Sequence, residues 1–143
     1  MNREPIYSAL FALLCAIPGI ITFSRRMRHW TDVPVVEQPA LFQAQMEEEP
    51  HYPGRAFPAK WTLNVNLFLY VNVGNDPQAA PSMVLNPLLD AVLAMLSPGP
   101  AQEEQTLGAL VSHCRLSGKV LIAEGSSLGP QAAALIPVEI VVS

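Results

Sequence analysis

Charged side chains are scarce in this sequence. They make up 14% of the 143 residues, whereas apolar residues make up 50%. Eight Lys and Arg against twelve Asp and Glu leave a formal net charge of −4. A chain without surplus positive charge lacks the usual means of holding nucleic-acid phosphates, which disfavours a dedicated nucleic-acid-binding protein. The apolar content exceeds what one small core can hide, and therefore predicts a subunit of an oligomer.

Cysteine is also rare. The two cysteines, Cys15 and Cys114, are far apart and have apolar neighbours, so neither a disulfide framework nor a CxxC motif is predicted. A reduced, cytosolic chain is expected. Fourteen prolines and eight glycines are too many for a helical bundle, and they follow no repeat that would indicate a collagen-like or low-complexity chain.

Motifs that would indicate catalysis or cofactor binding are missing or stand in the wrong context. There is no glycine-rich phosphate loop. The segment 125–129 matches the G-x-S-x-G pattern around Ser127, but Pro130 and a predicted strand follow, where a hydrolase requires a helix. A hydrolase using Ser127 is therefore disfavoured, and no catalytic or cofactor-binding residue is predicted.

No metal site is predicted either. The three histidines, His29, His51 and His113, are dispersed, whereas zinc ligands recur at short spacings. His113 and Cys114 are adjacent and would point to opposite faces of a strand.

The N-terminal region carries an uncharged run that approaches the length of a membrane span. One hypothesis is a small membrane-anchored protein held by residues 6–23, with Arg25, Arg26 and Arg28 as its positive flank. Against it, Pro18 and Gly19 should end a helix after about a dozen residues. The preferred interpretation is a short amphipathic helix that packs on a sheet through a buried apolar stripe.

Alternation of apolar and polar residues predicts several strands. Residues 20–30 alternate loosely, and residues 39–45 form a second short strand that is expected to pair back on the first as a hairpin. Residues 46–58 contain three prolines and three consecutive glutamates without any period, which predicts a long exposed loop.

The strongest period-two pattern begins at Lys60. Every second residue from Trp61 to Val73 is apolar, which predicts a long strand with one buried face. The opposite face changes from threonine and asparagine to Phe68 and Tyr70. A helix or a partner subunit is expected to cover that second half.

The rest of the chain predicts a second helix and two further strands. Asn86 and Pro87 are expected to begin a helix over Leu88–Leu96. A strand over 110–123, with Gly118 as a bulge, and a last strand over 132–142 would be joined by the turn at 125–129. The fold class is therefore α+β, with two helices packed on an antiparallel or mixed sheet in a single domain, residues 1–143.

Charged and aromatic residues suggest where copies of the chain meet. The basic cluster contains Arg25, Arg26 and Arg28, and the predicted loop carries the acidic run Glu47, Glu48 and Glu49. Ion pairs between the basic cluster of one subunit and the acidic loop of its neighbour are expected, because opposite charges set the register of a repeated interface. The aromatic candidates for that interface are Tyr52, Phe57, Phe68 and Tyr70.

Five segments, taken in order, resemble a known family. They read RRMRHWTDVPVVEQPALFQAQ, KWTLNVNLFLYV, VLNPLLDAV, LGALVSHCRLSG and AALIPVEIVVS. The chain from Trp30 to Ile140 resembles the tail terminators, the tail-completion or minor tail proteins of long-tailed phages (siphoviruses) and prophages. The resemblance implies an α+β subunit that forms a hexameric ring on the head-proximal end of the tail tube.

The same resemblance implies a structural role without catalysis. Such a ring ends polymerisation of the tube and provides the surface for head-tail joining. The implied partners are further copies of this chain, the tail-tube protein and a connector or neck protein, and genomic DNA would pass through the lumen without specific binding. The implied location is the virion tail, assembled in the host cytoplasm and without a membrane.

Overall fold

Two helices lie on one face of a six-stranded mixed sheet in the computed structural model, which describes residues 1–143. This confirms the α+β class. The helices and strands, in chain order, are α1 (Arg3–Leu14), β1 (Thr22–Ser24), β2 (Ala40–His51), β3 (Lys60–Asn72), α2 (Pro81–Leu96), β4 (His113–Leu116), β5 (Leu121–Glu124) and β6 (Gln131–Val142).

The sheet is built around the two long strands predicted by alternation. Its order is β1-β2-β3-β6-β4, and β5 also pairs with β6. β3 and β6 are antiparallel over their whole length, from Trp61 opposite Val142 to Asn72 opposite Gln131. β4 and β5 pair with successive stretches of the same edge of β6. Each is only four residues long, so this edge of the sheet is interrupted.

The main core lies between the helices and the inner face of the sheet. Alternate residues of β3 and β6 point into it, as the period-two patterns predicted. From α1 it receives Ile6, Tyr7, Leu10 and Leu14, and from α2 it receives Leu85, Val92 and Leu96. Residues 6–23 are divided between α1, a turn and β1. No helix combines the length and apolarity needed to cross a bilayer.

The predicted hairpin of the first two strands is wrong. The first strand is only three residues long and runs parallel to β2, with Thr22 opposite Ala40. A parallel pair needs a crossover, which residues 25–39 supply. This crossover contains two turns of 3₁₀ helix, Trp30–Asp32 and Val35–Glu37, and lies on the outer face of the sheet.

The predicted loop 46–58 is shorter than expected. β2 continues to His51, past a bulge between Gln45 and Glu48, so only residues 52–59 form the turn to β3. Glutamates and Pro50 are more typical of a loop than of a strand. β1 pairs with only the first three residues of β2, so the later part of β2 is an edge of the sheet. Charged residues and proline are tolerated on an edge strand.

The second helix begins seven residues before its predicted start. Pro81 occupies its first turn and Pro87 lies inside it. Pro87 has no N–H to donate to the carbonyl of Met83, and the helix tolerates this loss at a turn where Met83 is exposed. The backbone N–H of Ser82 donates to Glu124 Oε2 at 2.6 Å, in place of a side-chain cap from Ala80.

The single strand predicted over 110–123 is also wrong. β4 ends at Leu116 and β5 begins at Leu121. Gly118, expected to form a bulge, has φ +95° in the break between them, a conformation that favours glycine. The connection from β5 to β6 is the predicted turn, with a 3₁₀ turn over Ser126–Leu128.

Candidate functional site

An apolar groove of about 290 Å³ crosses the outer face of the sheet, opposite the helices. Ten of its eleven lining residues are apolar, and His29 is the exception. We call it the outer groove. Its floor comes from β3 and β6, one wall from the crossover residues 27–30 and the other from β5 residues 121–123. An exposed apolar depression of this kind typically marks an interaction surface.

Strand register explains why the groove is apolar. Phe68, Leu135 and Leu121 stand side by side across β3, β6 and β5. Tyr70, Ala133 and Ala123 form the next row in the same way. Towards the other end of the sheet the outward residues of β3 become Asn66, Asn64 and Thr62, so the outer face is divided into an apolar and a polar half.

The alternation predicts that a helix or a partner subunit covers Tyr70, and the structure corrects this. The crossover covers it, leaving it 3% exposed. Its hydroxyl donates a hydrogen bond to the backbone carbonyl of Arg28 at 2.9 Å. Its ring packs against Phe42, with 5.5 Å between the two ring centroids. Burial raises the pKa of Tyr70 to about 12. Tyr70 thus supports one wall of the groove, while Phe68 remains half-buried in the floor.

The three predicted arginines have different surroundings. Arg28 pairs with Glu37 at 2.8 Å and lies over the ring of Phe42. Arg25 binds Glu4 of α1, and this contact holds the pKa of that carboxyl below its usual range. Arg26 is exposed, and no partner contacts its guanidinium. Of these three arginines, only Arg26 is free of ion pairs within its own chain.

The acidic run is similarly divided. Glu48 accepts hydrogen bonds from Arg3 at 2.6 Å and from Tyr7 at 2.7 Å. Its neighbours Glu47 and Glu49 are exposed and form no ion pair. The three glutamates do not act together within the subunit, because Glu48 points to the helix side of the sheet, where it binds α1.

The aromatic residues of the predicted loop lie in the short turn between β2 and β3. Tyr52 is 68% exposed and Phe57 is 65% exposed. Neither belongs to the core or lines the outer groove. The structure therefore separates Tyr52 and Phe57, at one end of the β2–β3 hairpin, from Phe68 and Tyr70 near its other end.

Residues considered for chemistry are not assembled into a site. Ser127 lies in the β5–β6 turn and forms no hydrogen bond with a His or Asp side chain. His113 contacts Glu139 at 3.2 Å on β6, and Cys114 is buried beside it. No group of three or more His, Cys, Asp or Glu side chains is close enough together to hold a metal ion.

The walls of the outer groove do not follow from the alternation of apolar and polar residues. The alternation predicts Leu121 within one long strand, and Met27 and Trp30 within another. The run of four apolar residues 120–123 was the available signal, because an alternating strand with one solvent face would not contain it.

Comparison with known proteins identifies the fold. No family model matches the chain, and no curated protein matches its sequence. Among solved structures, it is similar to a chain from the virion of a native gene transfer agent particle, with a TM-score of 0.57 at 9% identity. The alignment covers 99% of this chain and 98% of that one, so the two chains share the same overall fold from end to end.

Proposed function

We propose that this protein is a structural component of a virion that caps the head-proximal end of a tail tube as a hexameric ring. In that position it ends polymerisation of the tube and offers a surface to the neck. Its partners are other copies of itself, the tail-tube protein and a connector or neck protein, and its role is assembly without catalysis.

The observation that carries the proposal is the end-to-end similarity to a chain of a virion, an alignment that covers 99% of this chain and 98% of that one. The order of the five sequence segments that resemble tail terminators supports the finer role. The outer groove supports self-assembly, because it leaves Leu121, Ile122 and Met27 exposed in a chain with few charges.

The experiment is to determine the assembly and its effect on tails. Purified protein should form rings by negative-stain electron microscopy, with a mass near six subunits by sedimentation. Deletion of the gene from the phage or prophage that encodes it should yield tails of uncontrolled length that do not join heads, and a plasmid copy should restore them. Monomers alone at high concentration, together with normal particles after deletion, would contradict the proposal.

A further inference from the structure

We propose that the outer groove binds the β2–β3 turn, residues 52–59, of a neighbouring copy of the same chain. Tyr52 and Phe57 would enter the groove as anchors. This inference rests on the ring of the proposed function and names the two surfaces that join its subunits.

The turn has the side chains that an apolar groove requires. Tyr52 and Phe57 are both about two-thirds exposed and extend from the end of a long hairpin. Buried aromatic anchors dominate the energetics of many interfaces. Transfer of these two rings into the groove would remove their apolar surface from water together with that of Leu121 and Phe68.

The turn cannot reach the groove of its own subunit. Eight residues of extended β3 separate Lys60, at the turn, from Phe68, in the floor of the groove. At about 3.3 Å per residue, that is roughly 26 Å along a rigid strand. The contact must therefore join different copies.

Each of the two surfaces has unpaired charges of both signs, so each charge has a candidate partner of opposite sign on the other surface. Arg26 precedes the groove wall and is free of ion pairs, while Glu47 and Glu49 lie on the β2 arm that leads into the turn. Asp32 beside the groove and Arg55 in the turn are also exposed and unpaired. Complementary charges of both signs would set the register of the contact.

The contact is asymmetric, because each subunit contributes its turn to one neighbour and its groove to the other. A heterologous contact of this kind forms a closed ring when the rotation between subunits closes. It therefore agrees with a ring and disagrees with a twofold dimer.

The test uses cysteine cross-linking in a Cys15→Ser background, in which the remaining native cysteine, Cys114, is buried. Ala56→Cys marks the turn and Ala123→Cys marks the groove, and both substitutions leave the proposed anchors intact. The matched control replaces Ala123→Cys with Ala94→Cys, at an exposed alanine of α2.

Mild oxidation of the Ala56→Cys, Ala123→Cys double variant should produce a ladder of covalent oligomers on a non-reducing gel. A mixture of the two single variants should stop at the dimer, and each single variant alone should remain monomeric on the gel. The Ala56→Cys, Ala94→Cys control should form no ladder.

Four results would overturn the contact. Rings that form by sedimentation but do not cross-link would mean that the groove takes another partner, and the proposed function would stand. Dimers from Ala56→Cys alone, or equal cross-linking of the control, would indicate a symmetric or random encounter. Absence of any oligomer would overturn both the contact and the ring.

Discussion

Tyr7 donates a 2.7 Å hydrogen bond to Glu48, which joins the first helix to the hairpin that carries the exposed turn. Tyr7 is fully buried, and Arg3 completes the cluster by binding the other carboxylate oxygen of Glu48. These hydrogen bonds lower the pKa of Glu48, because both stabilise its ionised form. The middle residue of an apparently solvated acidic run therefore anchors β2 to α1.

Glu48→Gln should destabilise the protein by about 1 to 3 kcal/mol at pH 7, because it weakens two hydrogen bonds to a charged acceptor. The folded-state pKa of Glu48 lies below the usual 4.5, so its contribution is present above that value. It is lost as the pH falls through the lowered folded-state pKa. Urea denaturation from pH 7 to pH 3 should therefore show the wild-type and Glu48→Gln stabilities converging in acid.

Glu47→Gln is the matched control, since Glu47 is adjacent, exposed and unpaired. Its free energy of unfolding should stay within about 0.5 kcal/mol of wild type at every pH. A similar loss in both variants would show that the negative charge of the strand, rather than the contact with Tyr7, is responsible.

Leu85→Ala should cost about 2 to 5 kcal/mol, because Leu85 is fully buried in α2. Leu88→Ala should cost less, since Leu88 is only half-buried and lies against Gly19. Met83→Ala, on the exposed side of the same helix, should change stability by less than about 0.5 kcal/mol. If chemical denaturation ranked Leu88 above Leu85, the helix would begin near Asn86 after all.

The early part of α2 illustrates what sequence reasoning could not resolve. Asn86 followed by Pro87 matches a helix start, and local rules place the helix there. The actual start at Pro81 depends on a contact distant in sequence, the hydrogen bond between Ser82 and Glu124, and on burial of Leu85. Tertiary packing overrides the local signal in this region.

The two long strands were predictable for the opposite reason. The alternation in β3 and β6 is uninterrupted because one face of each strand is buried along its whole length. The outer groove could not be predicted, since its walls come from a parallel crossover and from β5. Only the observed pairing places Leu121 beside Leu135.

Glu124→Ala should destabilise the protein by about 0.5 to 2 kcal/mol, the range for losing a helix cap. Its carboxylate accepts the Ser82 N–H and lies near the positive end of the helix dipole, and Ala80 supplies no side-chain cap. Glu103→Ala, at an exposed glutamate that forms no ion pair, serves as the control for charge removal. Thermal denaturation of the two variants should separate them, and equal midpoints would remove the capping role from Glu124.

Leu121→Asp should abolish assembly while leaving the subunit folded. Leu121 is 57% exposed, so a carboxylate there remains hydrated in the free subunit and should change the free energy of unfolding by no more than about 0.5 kcal/mol. In an occupied groove the same carboxylate would be buried beside Phe68 and Leu135 without a partner, which is strongly unfavourable.

Leu110→Asp is the matched control, because Leu110 is 45% exposed and lies outside the groove. Sedimentation should detect monomers for Leu121→Asp and oligomers for Leu110→Asp, with native circular dichroism for both. Oligomers of unchanged size in Leu121→Asp would exclude the outer groove from the subunit contact.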